Sequence, residues 1–465
     1  MRAQPAILLR DLSWPEPGSP AEQVLLAQAE HAISVEIATP ERFASIEREW
    51  RDLTTRALAA NVFMEPSIVA AAAFADGVEM HVLLAWAAKE TAGPVRLVGA
   101  WAFACRRPTS LVPLTVLKSP VHPHGCLGIP VLDADIAADV LMRMLDTVVQ
   151  EPDLPKLVEI NSLDDAGPIA ALFADVLARR GSRHVRLEPR RRPQLVKGLA
   201  EAAHLSSSRE KALRQKHRRL DKRGQLSCTT HQAPEEIRAA LEEFLALEIA
   251  GWKGKAIERG HAIRRFPANE TFFRAAIEGL ATRGLAKISA LRSDGKPVAM
   301  QITVQSGSTA FTWKSAYDEA QRDCAPGILM LQEVTAALLA DPAIAVVDSC
   351  NHRDDGYMAE FWSGRKPVLD MVLDARRGMT PAFLLLGGAE RARQRLQVEA
   401  RRTHRALRSA KASVSSLIQS KLQRLRDIGA RPPADEGPTK TAPARVAKSA
   451  PAAKPGRERS GRDAE

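Results

Sequence analysis

The sequence predicts an α/β protein: two successive halves of mixed, mostly antiparallel sheet flanked by helices, then a basic helix and a disordered tail. Three observations carry this expectation. Apolar runs of strand length alternate with segments of three- and four-residue apolar spacing in both halves. Asp294-Gly295 and Ser306-Gly307 punctuate three consecutive apolar runs, which is hairpin chemistry. From residue 375 the composition changes, with 21 Lys/Arg against 8 Asp/Glu.

In the first half, Ile33, Val35 and Ile37 alternate as in a strand. Thr39-Pro40 reads as an N-cap with a first-turn proline, opening a helix through Phe43, Ile46, Trp50 and Leu53 to about Ala60. Met80–Ala87 and Val95–Cys105 read as paired strands. A helix at Ile136–Val149, a strand at Leu157–Ile160 and a helix near Ile169–Arg179 follow. In the second half, Ser207 and Glu210 form a capping box for a helix that Gly224 ends. A strand at Leu226–His231, helices from Pro234 and Asn269, and strands at Ala286–Arg292, Val298–Gln305 and Thr309–Tyr317 come next. A helix at Gly327–Leu339, a strand at Ala343–Asp348, a helix at Tyr357–Trp362 and a strand at Val368–Leu373 complete it. The expected boundaries are an extension at 1–31, halves at 32–195 and 196–375, a basic amphipathic helix at 376–430 and a disordered tail at 431–465.

Composition narrows the function classes. The chain has 465 residues, 45% hydrophobic and 26% charged, enough for a sizeable core. No run approaches 18 apolar residues, so a membrane-spanning helix is not expected. Asp11, Glu16 and several prolines near the start argue against a signal peptide. Five scattered cysteines without CxxC spacing point to a reducing, cytoplasmic compartment rather than a disulfide framework. The net charge of +11 suggests nucleic acid, yet residues 1–374 sum to −2. Within them only residues 183–224 are strongly basic, with 14 Lys/Arg against 4 Asp/Glu.

The order of elements in the second half is that of the GNAT acyltransferase fold, and the first half begins alike. Four stretches in order add to this: Arg209–Gly224, Leu247–Lys253 (LEIAGWK), Leu291–Ala299 (LRSDGKPVA) and Trp313–Gly327 (WKSAYDEAQRDCAPG). They are followed by Val346–His352 (VVDSCNH) and Phe361-Trp362. Over about 32–375 the chain resembles the acetyltransferase-like family of bacterial polysaccharide operons, including cellulose-biosynthesis acyltransferases. That family is related to Fem-type aminoacyl transferases, which also carry two GNAT halves.

The resemblance implies an N-acyltransferase with acyl-CoA as co-substrate and no metal. Its pyrophosphate loop, usually Gln/Arg-x-x-Gly-x-Gly/Ala, falls on Arg322, Ala325 and Gly327, with Ile328 and Leu329 at the helix start. Ala325 replaces the first glycine, and Pro326 removes one donor. The resemblance also gives Tyr357 the role of protonating the departing thiolate. Met358 stands where related two-half transferases often carry Lys.

Asp318, Asp348 and His352 sit at strand ends that such folds use for ligands, and each is a candidate general base. Trp252-Lys253 and Trp313-Lys314 are candidate substrate contacts, an apolar ring beside an anion contact, or else core tryptophans with snorkelling lysines. His122-Pro123-His124-Gly125 reads as a loop rather than a metal pair. The 183–224 belt either holds an anionic ligand, nucleic acid among them, or is a solvated helix face. The tail offers a surface for an anionic membrane or an acidic partner, with Phe383–Leu386 as an added anchor. Three readings stand: transfer from acyl-CoA to a small-molecule or sugar acceptor in envelope or exopolysaccharide synthesis, transfer from aminoacyl-tRNA, and a GNAT-like scaffold without catalysis.

Overall fold

The computed structural model describes residues 33–88, 95–108, 113–198, 207–255, 260–352, 354–393, 395–396, 399–400 and 403. The expected N-terminal extension and most of the tail lie outside them. Contacts divide the chain into a unit to Leu396 and a second from Gln397. The second unit has only residues 399, 400 and 403 described, all helical.

The first half runs β1 (Ile33–Ala38), α1 (Pro40–Ala44), α2 (Glu47–Arg56), α3 (Pro66–Asp76), β2 (Met80–Ala88) and β3 (Val95–Arg106). It continues with β4 (Val116–Ser119), β5 (Val131–Leu132), α4 (Ala137–Gln150), β6 (Leu157–Asp164), α5 (Pro168–Arg180) and β7 (Ser182–Val196). The second half runs α6 (Ser207–Asp221), β8 (Leu226–His231), α7 (Pro234–Ala250), α8 (Pro267–Thr282), β9 (Ala286–Ser293), β10 (Lys296–Ser306) and β11 (Thr309–Tyr317). It ends with α9 (Pro326–Ala340), β12 (Val346–Asp348), α10 (Tyr357–Phe361) and β13 (Gly364–Arg377). These strands form one mixed sheet flanked by helices, the α/β architecture expected.

The two halves exchange their last strands. The sheet order is β1-β2-β3-β4-β6-β13-β7-β12-β11-β10-β9-β8, with β5 on β3. The final strand of each half therefore lies inside the sheet of the other, β13 between β6 and β7, and β7 between β13 and β12. The pairing is long: β13 runs antiparallel to β7 from Gly364↔Gln194 to Arg377↔Ser182. A boundary near residue 195 marks chain order, but the sheet is continuous across it.

Three elements differ from expectation for physical reasons. The helix over 40–60 is two, because Ser45 turns its hydroxyl back to the Arg42 carbonyl at 2.7 Å and interrupts the ladder. Residues 66–76, apolar on nearly every side, form a helix that buries Pro66, Ile68, Val69, Ala71 and Ala72 and leaves Phe74 exposed. It packs on α8 so closely that a Cβ on Gly279 would sit 2.5 Å from Ser67 Cβ. The 183–196 part of the basic belt is a strand: Val185, Leu187 and Leu195 are buried along it. Pro189 and Pro193 disguise it, since prolines are rare in interior strands. Beyond β13 a helix occupies 381–393. Phe383 and Leu386 pack there against Val116, Leu157, Val185 and Val372, so half of the expected anchor run belongs to the body.

Candidate active site

β11 and β12 run parallel only from Thr309↔Val346 to Phe311↔Asp348. β11 then continues to Tyr317, while the chain after Asp348 bends away through Cys350 at φ +56°. The sheet splays open between residues 312–317 and 349–352. Such an opening exposes backbone polar groups of β11 that a bound ligand can pair with.

A β-bulge shapes the open edge. Ile302 pairs with Lys314 and Thr303 with Thr312, so Trp313 is the extra residue. Strand side chains normally alternate; the bulge lets two neighbours share a face. Trp313 Nε1 donates to the His124 carbonyl at 2.8 Å, and Lys314 Nζ lies 2.9 Å from His124 Nδ1. Ser315 resumes the alternation: its hydroxyl is 3.3 Å from the Tyr357 hydroxyl on α10.

His124 comes from the first half. Loop 120–128 reaches across the sheet into the opening and is held by its own backbone. A Cβ on Gly125 would lie 2.6 Å from Pro120 Cβ, and one on Gly128 would lie 2.2 Å from the Ser119 carbonyl oxygen. Asn61 Nδ2 donates to the Ile129 carbonyl at 2.7 Å and Arg192 Nη1 to the Cys126 carbonyl at 2.9 Å. His122 stacks on Phe272 with ring centroids 3.6 Å apart.

Burial sets the electrostatics of this junction. Burial and then the charge of Lys314 press His124 down to about 2, so its ring is neutral at any ordinary pH. Burial likewise lowers His122 to about 4. Lys314 is pushed down to about 8, first by burial and then by the neighbouring ammonium of Lys253. Lys253 Nζ donates to the Ser315 carbonyl at 2.5 Å and pairs with buried Glu248 at 3.4 Å. Burial raises the Tyr357 phenol, which therefore keeps its proton. A hydrogen bond between the free thiols of Cys126 and Cys350 draws Cys126 down, while burial holds Cys350 well above the usual range.

At the other end of the opening, Ala325 adopts a left-handed conformation (φ +49°) and α9 starts at Pro326 with no acidic residue in its first turn. Gly327 faces the Tyr317 ring, which a Cβ there would approach to 3.5 Å. Asp323 is not left facing an anion, because Arg223 holds it through two bonds of 3.0 and 2.5 Å. A cleft of about 600 Å³ adjoins this turn, lined by Arg223, Leu247, Lys296, Asp318 and Gln321 among others.

The candidate residues thus separate. Tyr357, Lys253 and Lys314 converge on the opening, and Arg322, Ala325, Gly327, Ile328 and Leu329 form its turn and helix start. Asp348 does not face the opening. It is fully buried, 2.7 Å from Arg192 Nη2 and 3.2 Å from Lys366 Nζ. Burial would raise its pKa, but Arg192, Lys366 and the Cys350 amide outweigh that and hold it below the usual carboxylate range. It is an anchor for β7, β12 and β13. Asp318 caps the short turn after β11, accepting from the Ala320 amide at 2.9 Å. The His352 side chain reaches solvent at the rim, yet the protein packed around it, and then Arg190, Arg192 and Lys314, lower its pKa. Trp313 is a core residue among Phe63, Phe272 and Phe273, whereas Trp252 is 38% exposed. The triple arginine divides likewise: Arg192 is buried on Asp348, Arg190 pairs with Asp370, and Arg191 is exposed. Sequence reading missed His124, Glu248 and Ser315. The glycines of His122-Pro123-His124-Gly125-Cys126-Leu127-Gly128 signalled a tightly folded loop, but not its destination.

Residues 207–357 match a family model described as an acetyltransferase (GNAT) domain. No curated protein matches the chain. Among solved structures, FemX is 12% identical (TM-score 0.48), covering 76% of this chain and 100% of that one. The C-terminal domain of a putative lysylphosphatidylglycerol synthetase from Agrobacterium fabrum is 11% identical (TM-score 0.44; 75% and 96%). A tandem GNAT protein from the clavulanic acid pathway is 12% identical (TM-score 0.37; 75% and 100%). The family match spans the splayed strands, the left-handed turn and Tyr357, and the chain carries a GNAT-type acyltransferase domain in its second half.

Proposed function

We propose that the protein transfers an acyl group from acyl-CoA to an amine or hydroxyl, on a small molecule or a sugar of an envelope or exopolysaccharide. The observation that carries this is the opening between β11 and β12, with Tyr357 beside Ser315 on one face and an anion-compatible turn, Arg322 to Leu329, at its end. A thioester laid along β11 would put its diphosphate at the start of α9 and its sulfur toward Tyr357. The phenol keeps its proton until the thiolate leaves. Trp252 and Lys253 would then contact the acceptor, whose polysaccharide class rests on the resemblance to operon-encoded acyltransferases.

Transfer from aminoacyl-tRNA is the second reading. It is favoured by α6, on which Lys211 and Arg218 are exposed, and by Lys222 just after it, none linked to any described acidic group. Thiol release from acetyl-CoA and longer acyl-CoAs, assayed with amino-sugar acceptors, tests the first reading: turnover supports it. No turnover, together with RNase-sensitive copurification of tRNA, would replace it with the second.

A further inference from the structure

We propose that Lys314, positioned by His124 from the first half, is the general base that takes the proton from an acceptor amine. This rests on the acyl-CoA reading above and names the residues that complete it.

The argument is geometric. Lys314 and Ser315 are consecutive on β11 at the opening, yet Lys314 faces α7, α8 and loop 120–128, while Ser315 faces Tyr357 on α10. A thioester between the splayed strands would have the ammonium of Lys314 on one face and the phenol of Tyr357 on the other. An acceptor arriving on the loop side meets the base, and the sulfur leaves toward the acid. The bulge at Trp313 is what turns Lys314 to that side. His124 Nδ1, neutral, accepts from Nζ at 2.9 Å, and the Phe273 ring lies 5.3 Å from Nζ.

The charged and titratable groups around Lys314 and its partner His124 come from every neighbouring element: Glu248 on α7, Lys253 after it, His261 just before the 263–265 turn that leads into α8, His122 and Cys126 on the loop, and Cys350 and His352 after β12. Among these, Glu248 is already engaged by Lys253 and by the Ile263 amide at 2.8 Å. With a midpoint near 8, a useful fraction of Lys314 is neutral near pH 7, as a base for an ammonium requires. The step balances. Neutral Lys314 removes one proton from the acceptor ammonium, and the freed lone pair attacks the thioester carbon. The C–S bond breaks as Tyr357 gives its proton to the departing sulfur; the second nitrogen proton and the proton held by Lys314 pass to solvent, from which Tyr357 is reprotonated.

The test uses the full chain. Competitive labelling with acetic anhydride across pH, read by mass spectrometry, gives the titration of Lys314 without any donor or acceptor. It should show a midpoint near 8, well below the ordinary lysine value of about 10.4. Lys314→Arg keeps the charge and the bond to His124 but cannot lose its proton. It should bind acetyl-CoA in calorimetry as the wild type does and lose about 100-fold or more in turnover with glucosamine as the probe acceptor. His124→Phe should lower turnover at unchanged KM for acetyl-CoA, and His124→Asn, whose side-chain oxygen can stand in for Nδ1, should restore most of it. A Lys314 midpoint near 10, or full turnover in Lys314→Arg, overturns the assignment while leaving the acyltransferase reading intact. No binding of acetyl-CoA to the wild type overturns both.

Discussion

Tyr357 and Asp348 show how differently two candidate side chains fare when folded. Tyr357 is within reach of Ser315 at the open strand edge, protonated and poised to serve a leaving thiolate. Tyr357→Phe is expected to lower turnover by ~10-fold or more with donor affinity nearly unchanged, measured by steady-state kinetics beside calorimetry. Asp348 is an anchor, and its depressed carboxyl fixes the sign of its pH effect. Its stabilising contribution is present above the unfolded value near 3.9 and is lost as pH falls below it. Asp348→Asn leaves Arg192 and Lys366 without their common partner, so it should cost about 3–5 kcal/mol at pH 7. Urea melts from pH 3 to 7 should show that penalty shrinking toward the acid end; a constant penalty would mean the carboxylate charge is not what matters. Which aspartate anchors and which caps was not legible in the sequence, because the partners Arg192 and Lys366 are 156 and 18 residues away.

At the scale of elements, the strands and helices of the second half were largely legible, since each has its own period and punctuation. Leu226–His231 and Thr309–Tyr317 fall where the pattern puts them. The elements that escaped are those whose environment is set from elsewhere: β7, covered by both halves, and α3, apolar all round. The turn into α9 is the element most open to test. Ala325 at φ +49° tolerates Gly but not a branched side chain. Ala325→Val should destabilise by about 1–2 kcal/mol in denaturant melts, and Ala325→Gly should not. Equal stability of the two variants would show that the left-handed turn is absent in solution.

Across the whole molecule, two halves with a similar start were visible in element order, but the exchange of β7 and β13 was not, because register between distant strands leaves no local signal. The exchange explains how a first-half loop can serve a second-half site: the sheet that bears both is one body. Residues 33–198 and 207–396, expressed separately, should each lack an interior strand and fail to unfold cooperatively, while coexpression should restore a single transition. Two independently cooperative halves would contradict the shared sheet. The basic residues that dominate the net charge lie mostly beyond this body. Among the described residues no helix is long and apolar enough to cross a membrane.

The proposed acyl transfer requires a CoA thioester to seat between β11 and β12 with its diphosphate at the start of α9. Calorimetric titration of the full chain with acetyl-CoA, beside a Gly327→Leu variant that fills the space next to Tyr317, tests it most directly. One saturable site is expected in the wild type, with at least ~10-fold weaker binding in the variant, for loss of the helix-terminus contact. Absence of heat up to millimolar acetyl-CoA, or equal affinity in both proteins, would contradict it.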